Sequence, residues 1–279
     1  MDVLYPRVGD KEIVFPARGA TTEVAIHDEA LLYEAAQLIN NAERPVLIGG
    51  DGVGWSDTGA WLKTIRDTFA AMVEEDRQRG ETPSDPIHPT RLMHQLRKTA
   101  GDDAIYIVDG GDTVYFGLMA LRARRKAGVI ANGLQFGSLG IGMPFGIAAK
   151  LARPDERVVV VSGDGSFGLN AMEFETASRH DVPVVCVICN DQAWGSAKHA
   201  QELCYGFEQV CGTELGLVRY DRMVEALGGH GEFVTRDEEI VPALERALQS
   251  GRPACVNVLT DPAVTSASTV VYAEGIKAM

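Results

Sequence analysis

The sequence predicts an α/β fold with a doubly wound, mainly parallel sheet. Two short apolar runs carry this prediction, one at residues 158–161, which is entirely valine, and one at 184–188. Runs of this length, bounded by turn residues, are typical of strands buried on both faces of a parallel sheet. A helical pattern lies between them, starting near Asn170 with a spacing that resembles a capping box and ending at about His180. This order of strand, helix and strand indicates a right-handed crossover.

Both predicted strands run into polar residues that suit a cation. The first is followed by the motif GDGS at 163–166, and the second by Asn190 and Asp191. Open parallel sheets bind ligands beyond the carboxyl ends of their strands, so we expect Asp164 and Asp191 to face one crevice. The flanking glycines permit a sharp turn and the close approach of an anion. These oxygen ligands favour Mg²⁺ carrying a diphosphate, and solvated acidic loops on an ordinary sheet are the alternative.

Composition excludes several classes of partner. The chain has 39 acidic and 26 basic residues among 279, a net charge of −13, which argues against binding to nucleic acid or to an anionic membrane. No apolar run approaches the roughly 20 residues of a membrane span, and the first residues do not resemble a signal peptide, so we expect a cytoplasmic protein. The five cysteines are odd in number and lie partly in predicted strands, which favours free thiols.

We divide the chain at two places. Residues 1–80 combine an irregular start with two helical patterns and are expected to form a small N-terminal appendage. A proline-containing linker opens the main domain, which covers residues 81–264. Residues 265–279 form either a flexible tail or a lid over the site. Within the appendage, a glycine cluster at 49–54 follows a predicted strand, and a structural role is favoured there over dinucleotide binding.

A GDG motif followed after about 25 residues by an Asn-containing pair resembles the diphosphate-binding signature of thiamine diphosphate enzymes. The chain is similar over residues 1–262 to the group of acetolactate synthases, 2-hydroxyacyl-CoA lyases and oxalyl-CoA decarboxylases. The resemblance implies bound thiamine diphosphate and Mg²⁺, with the metal held by Asp164, Asp191 and the main-chain carbonyl of Ala193. It also places four residues beside the diphosphate: Gly163, Gly165, Ser166 and Asn190. Asp191 replaces the family's usual second asparagine, and its charge could shift the metal preference toward Ca²⁺ or Mn²⁺.

The resemblance also assigns the segment after a predicted strand at 104–108. In these enzymes the polar residues at this point approach the cofactor diphosphate, which nominates Asp112 and Thr113. Thr113 is the better candidate, because a hydroxyl can donate a hydrogen bond to phosphate and an ionised carboxylate cannot. An ordinary helix N-cap is the alternative interpretation.

The segment Gly137-Ser138-Leu139-Gly140 matches the family's turn beneath the cofactor. The resemblance makes Leu139 the apolar residue that supports the V conformation of thiamine, in which the 4′-amino group lies near C2 of the thiazolium ring. The carbonyl of Gly137 and the N–H of Leu139 would bind the edge of the aminopyrimidine. The alternative is a glycine-rich helix start that packs on the sheet.

Most of the family's middle domain and its pyrimidine-binding domain are missing from this sequence. Residues 1–80 match the linker and a remnant of the middle domain, and the pyrimidine-binding domain with its activating Glu is expected from a partner chain. We therefore expect a heteromer with two copies of each subunit. The implied reaction is 2-hydroxyacyl-CoA cleavage, or carboligation or decarboxylation of a 2-oxo acid, with a CoA thioester as a possible substrate. A fragment of an acetolactate synthase large subunit and a non-catalytic cofactor-binding or regulatory subunit are the alternatives.

Overall fold

The computed structural model of the chain describes residues 70–124, 127–131 and 137–277. Most of the expected N-terminal appendage, including the glycine cluster at 49–54, lies outside these residues. Within them, no helix is long and apolar enough to cross a membrane.

Six strands of the described residues form one parallel sheet, in the order β2-β1-β3-β4-β6-β5. The expected α/β fold with a parallel sheet is thus confirmed. Valine and isoleucine side chains from the strands are buried on both faces of the sheet. The apolar runs of the strands are therefore continuous and do not alternate with polar residues. The strands are β1 (Ile105–Asp109), β2 (Val129–Ala131), β3 (Val158–Gly163), β4 (Val185–Asn190), β5 (His230–Val234) and β6 (Ala254–Leu259).

The strand order contains a reversal between β1 and β3. The chain first adds β2 on one side of β1 and then crosses to add β3 on the other side. The loops that leave the carboxyl ends of β1 and β3 therefore diverge to opposite faces of the sheet and leave a crevice between them. The register aligns Asp109 with Ser162 and Gly163 with Cys189, so the three strands β1, β3 and β4 end at one level.

Helices cover both faces of the sheet. One face packs against α2, α3 and α9, and the other against α4, α5, α6 and α8. The helices are α1 (Ala70–Glu81), α2 (Pro89–Ala100), α3 (Asp112–Ala120), α4 (Gly142–Ala152), α5 (Asp164–Asn170), α6 (Glu173–Arg179), α7 (Gly195–Tyr205), α8 (Tyr220–Ala226), α9 (Ile240–Gln249) and α10 (Ala267–Lys277).

The helical stretch after β3 begins earlier than the sequence indicates. The helix α5 starts at Asp164, immediately after the strand, and a short turn separates it from α6. Asn170 is the last residue of α5 and does not cap α6; its side-chain amide donates to the carbonyl of Gly140 at 2.7 Å. The early start places the Trp194 ring beside Gly165, where a Cβ atom would lie 2.6 Å from the ring. The capping-box spacing was therefore misleading, because Asn170 bonds to a distant loop.

Candidate cofactor and metal site

A cleft of about 440 Å³ opens at the carboxyl ends of β1, β3 and β4, where the strand order reverses. Most of the residues predicted as the site line this cleft: Asp112, Thr113, Gly137, Leu139, Gly163, Asp164, Gly165, Ser166, Asp191 and Ala193. These residues lie in four loops that are far apart in the sequence. The structure thus brings together the GDGS motif, the residues after β1 and β4, and the turn at Leu139.

Asp164, which is buried, and Asp191, which is half-buried, have carboxyl groups within hydrogen-bonding reach of each other. Asp164 is only 2% exposed. Its Oδ1 accepts a hydrogen bond from the N–H of Gly165 at 2.9 Å, but its Oδ2 has no donor. Burial, and then the neighbouring charge of Asp191, raise the pKa of Asp164 to about 8. Burial also raises the pKa of Asp191. Ionisation of both carboxyl groups is therefore unfavourable in the chain alone, and no hydrogen-bond donor reaches Asp164 Oδ2.

The main-chain carbonyl of Ala193 does not take part in the hydrogen bonds of its neighbouring bridge. Ala193 forms an isolated antiparallel bridge with Glu214, and the bonds of that bridge use the carbonyl of Gln192 and the N–H of Trp194. In a bridge of this type the N–H and carbonyl of the paired residue point away from the partner segment. The N–H of Ala193 donates to Asp191 Oδ1 at 3.2 Å, which shows that this side of the backbone faces the carboxylate.

This donor set fits a divalent cation. Among the described residues no group of three or more His, Cys, Asp or Glu side chains could hold a metal ion, so the protein alone would supply two carboxylates and one carbonyl. Mg²⁺ commonly takes one or two carboxylates and completes its shell with water and phosphate oxygens. A cation would neutralise the like charges and give Asp164 Oδ2 the partner that it lacks.

Two hydroxyl groups and two glycines form a cradle beside the carboxylate pair. A Cβ atom on Gly110 would lie 3.2 Å from the Thr113 side chain and 3.4 Å from Ser166 Oγ, and one on Gly163 would lie 3.2 Å from Thr113 Oγ1. Side chains at these glycines would therefore fill the space in front of the hydroxyls. Backbone N–H groups and hydroxyls are the donors that phosphate oxygens accept from, so this cradle suits a diphosphate next to the metal.

The turn that carries Leu139 is held from two sides. Asp109 accepts hydrogen bonds from the N–H groups of Gly140 at 3.2 Å and Gly142 at 2.9 Å, while Asn170 donates to the carbonyl of Gly140. Gly140 adopts a φ of 83°, which favours glycine. Leu139 lines the cleft and remains 37% exposed. The turn is thus rigid and keeps an apolar side chain available to a ligand.

Asp109 is a positioning residue that the sequence analysis missed. It is buried, and burial raises its pKa even though backbone N–H groups from three glycines oppose that shift. A signal was present, because Asp109 is the last residue of a strand and two glycines follow it.

Three predicted site residues are placed differently from the rest. Asp112 borders the cleft, but both of its oxygens already accept hydrogen bonds from protein groups. Asn190 is fully buried and bonds to Asn257, to the carbonyl of Val218 and to the N–H of Gln192, so it does not line the cleft. Ser138 is exposed and does not line it either.

Two aromatic residues of the cleft were not predicted as site residues. Trp194 packs on Gly165 at the start of α5, and Tyr272 reaches the cleft from α10. Neither belongs to a motif that the sequence analysis singled out. Residues 267–277, in which a tail or a lid was expected, therefore form a helix with one side chain at the site.

The family model for the C-terminal TPP binding domain of thiamine pyrophosphate enzymes matches residues 109–258. The chain belongs to this family. The matched range begins at Asp109 at the end of β1 and closes within β6, so it contains the GDGS motif, the Asn190-Asp191 pair and the turn at Leu139. The resemblance to thiamine diphosphate enzymes that these motifs indicated is thereby confirmed.

The relatives of this thiamine pyrophosphate enzyme chain include two kinds of named enzyme. A probable acetolactate synthase of Mycobacterium bovis is 40% identical over 261 residues, which is 88% of this chain and 46% of the relative. A 2-hydroxyacyl-CoA lyase 2 of Homo sapiens is 31% identical over 217 residues, 76% of this chain and 34% of the relative. The chain spans less than half the length of these relatives.

A solved structure shares the fold. It is a thiamine diphosphate-dependent 4-hydroxybenzoylformate decarboxylase of Rhodococcus jostii RHA1, with a TM-score of 0.59 and 24% identity. The similarity covers 64% of this chain and 34% of that one.

Proposed function

We propose that the chain is the diphosphate-binding subunit of a thiamine diphosphate- and Mg²⁺-dependent enzyme that forms or cleaves a carbon–carbon bond next to a carbonyl group. The observation that carries this proposal is the pair of Asp164 and Asp191 carboxyl groups, in which a buried oxygen of Asp164 lacks any donor. It lies beside a cradle of hydroxyls and glycines at the strand-order reversal. A metal that carries a diphosphate satisfies both features at once.

Each part of the site has a separate task. Asp164, Asp191 and the Ala193 carbonyl would hold the metal, and the hydroxyls of Thr113 and Ser166 would donate to diphosphate oxygens. The turn at Leu139 would offer backbone groups to the aminopyrimidine and an apolar side chain to the bent cofactor. When bound, thiamine diphosphate supplies an electron sink for the carbanion, and the protein supplies orientation and electrostatics.

The proposed substrates are 2-oxo acids or 2-hydroxyacyl compounds, including CoA thioesters. The named relatives support this class, since they include 2-hydroxyacyl-CoA lyases and an acetolactate synthase. Acetolactate synthesis is the second candidate, and the 40% identity to the M. bovis relative favours it. The two reactions differ in whether a CoA thioester or a second 2-oxo acid takes part.

We further propose that a pyrimidine-domain subunit completes the site and supplies the activating Glu, with two copies of each chain. The rim of the cleft supports this arrangement. Leu139 lines the cleft and Leu169 lies against the turn at Gly140, and both are exposed large apolar residues. Exposed apolar groups that cluster at a cleft are typical of protein contact surfaces.

Calorimetry on the full chain tests the cofactor assignment. Thiamine diphosphate should bind in the presence of Mg²⁺, Mn²⁺ or Ca²⁺ and should not bind in the presence of a chelator. Proton exchange at C2 of the cofactor, measured with and without the pyrimidine-domain subunit, then tests the partner. Binding without exchange in either mixture would favour the non-catalytic alternative, and absence of binding with all three metals would overturn the proposal.

A further inference from the structure

The carboxylate of Asp112 is the centre of a buried polar network that the cofactor assignment does not use. Its Oδ2 lies 2.9 Å from His199 Nδ1, and its Oδ1 accepts hydrogen bonds from Ser266 Oγ at 2.5 Å and Thr269 Oγ1 at 2.6 Å. All four side chains are buried. The donors come from α7, from the segment after β6 and from α10. A single carboxylate at the start of α3 therefore joins three elements.

The geometry around His199 indicates an ion pair. Its Nδ1 faces the Asp112 carboxylate and its Nε2 faces the carbonyl of Pro262 at 3.0 Å. Both partners are acceptors, and a neutral imidazole can donate from only one nitrogen, so the imidazolium satisfies both bonds. Burial by itself would lower the pKa of His199, but the bonds to Asp112 and Pro262 raise it. Loss of the Asp112 charge would leave a buried cation without its counter-ion.

The helix α10 packs along α7 but buries few of its own side chains completely. Its buried side chains are Thr269 and Ala273, one turn apart on the face toward α7. Apart from the bonds to Asp112, this face makes a hydroxyl contact between Thr269 and Ser196 at 2.9 Å and a thiol bond from Cys204 to the Ala273 carbonyl at 3.6 Å. Val271 and Tyr272 are 67% and 63% exposed. A helix that buries one threonine and one alanine completely gains part of its hold from polar anchors.

The helix α10 also forms one wall of the cleft. Tyr272 lines the cleft together with Trp194, which is the N-cap of α7, and with Ser196 and Ala200 of α7 itself. The position of α10 on α7 thus decides how open this side of the cleft is.

We propose that Asp112 is a positioning residue that holds α10 as a wall of the cofactor cleft, through His199, Ser266 and Thr269, and that it does not bind the cofactor. That the cleft holds a cofactor rests on the proposed function, but the anchoring of α10 does not. The wall is closed when the network is complete and opens when the network is broken.

Hydrogen exchange followed by mass spectrometry on the full chain tests the anchoring. Asp112→Asn and Thr269→Val should each speed exchange in residues 262–277 by roughly tenfold to a hundredfold, since the first removes the charge of the acceptor and the second removes a hydrogen bond to it. Thr269→Ser restores the hydroxyl and should retain wild-type protection. The matched control is Asp237→Asn, which breaks a largely buried ion pair with Arg91 away from α10.

Three results would overturn the anchoring. They are unchanged exchange of 262–277 in both variants, equal loosening by Asp237→Asn, and failure of Thr269→Ser to differ from Thr269→Val. If Asp112→Asn does not fold, the comparison of Thr269→Val with Thr269→Ser still tests the anchoring.

Acrylamide quenching of Trp194 tests whether α10 covers the cleft. In a background of Trp55→Phe and Trp61→Phe, Trp194 is the remaining tryptophan. Thr269→Val should raise the quenching constant, and Thr269→Ser should not. Equal quenching in the two variants would show that α10 does not shield the cleft.

Cofactor kinetics separate this inference from the proposed function. With Mg²⁺ present, Thr269→Val should speed dissociation of thiamine diphosphate, while the metal requirement stays the same. If wild-type chain binds no thiamine diphosphate, the proposed function fails and the exchange experiment still decides the role of Asp112. If Asp112→Asn weakens cofactor binding more than about tenfold with unchanged exchange of α10, Asp112 binds the cofactor directly and the inference is wrong.

Discussion

Two groups of buried carboxylates border the same cleft and have opposite environments. Asp112 is 8% exposed and Asp164 is 2% exposed, so burial alone should raise the pKa of both. Hydrogen bonds from His199, Ser266 and Thr269 outweigh burial at Asp112 and hold its pKa below the usual value. At Asp164 the neighbouring Asp191 adds to burial, and the pKa rises to about 8. One carboxylate is fully paired by protein groups and the other faces a like charge.

The difference shows how to separate a structural carboxylate from a ligand-binding one. Asp112 and Asp164 both line the cleft, and the sequence analysis assigned both to the cofactor or its metal. Counting partners distinguishes them, because a buried polar atom without a donor requires an explanation outside the protein chain. Asp164 Oδ2 is such an atom, and neither oxygen of Asp112 is.

The largest expected effect is at Asp164. The raised pKa of Asp164 destabilises the folded chain at neutral pH, and Asp164→Asn removes this cost, so the chain without metal should become more stable by about 1 kcal/mol, a shift of roughly 2–4 °C in the melting temperature. The same change should weaken Mg²⁺-dependent binding of thiamine diphosphate at least about a hundredfold, since a carboxylate ligand is lost. Calorimetry and thermal unfolding measure the two effects. Unchanged cofactor affinity would remove Asp164 from the metal site.

The second effect has the opposite sign on stability. Asp112→Asn leaves the His199 cation buried beside a neutral amide, and the cost of breaking a buried pair is about 3 kcal/mol. Urea unfolding of the metal-free chain measures this loss. If Asp112→Asn and Asp164→Asn change stability in the same direction, the contrast between a paired and an unpaired carboxylate is wrong.

The sequence predicted the strands and the loops of the site because their signals are local. The valine run of β3, the glycines beside Asp164 and the residues that follow β4 all lie within short windows. The hydrogen-bond partners of Asp112 and Asn190, by contrast, lie far from them in the sequence. Ser266 and Thr269 are 154 and 157 positions from Asp112, and Asn257 is 67 positions from Asn190. Such pairings depend on which loops the sheet brings together, so a single sequence cannot assign these residues to a ligand or to the protein.

A third prediction uses the pH dependence of the network around Asp112. The folded pKa of His199 is raised, so its stabilising contribution is complete below about pH 6.5 and is lost as the pH rises through the folded pKa. The folded pKa of Asp112 is lowered, so its contribution is complete above about pH 3.9 and is lost as the pH falls through the folded value. Asp112 and Glu202 are the carboxylates that raise the His199 pKa, and His199 in turn acts on Asp191.

Protection of residues 262–277 should therefore be greatest between about pH 4 and 6.5 and should decrease at higher pH. Hydrogen exchange, corrected for the intrinsic rate at each pH, measures this. His199→Gln, which cannot carry the charge, is the control and should remove the decrease. A decrease that persists in His199→Gln would assign the titration to another group.

The smallest expected effect concerns the backbone that joins Asp191 and Ala193, the two proposed metal ligands after β4. Gln192 lies between them with a φ of 63°, and its carbonyl accepts hydrogen bonds from the N–H groups of Leu215 and Gly216. The left-handed conformation costs a non-glycine residue about 1 kcal/mol, whereas glycine adopts it freely. Gln192→Gly should therefore retain metal affinity and change stability by less than about 1 kcal/mol, because strain relief offsets the greater entropy of the unfolded glycine.

Gln192→Val is the matched variant, since a β-branched side chain disfavours a positive φ more strongly. It should lower stability by about 1 kcal/mol. It should also weaken Mg²⁺ binding, because the chain would turn the Ala193 carbonyl away from Asp191 in order to relieve the strain. Thermal unfolding and metal titration of the two variants give the comparison. Equal metal affinity in Gln192→Gly and Gln192→Val would show that the Ala193 carbonyl is not a ligand, and the site would then rest on the Asp164–Asp191 pair alone.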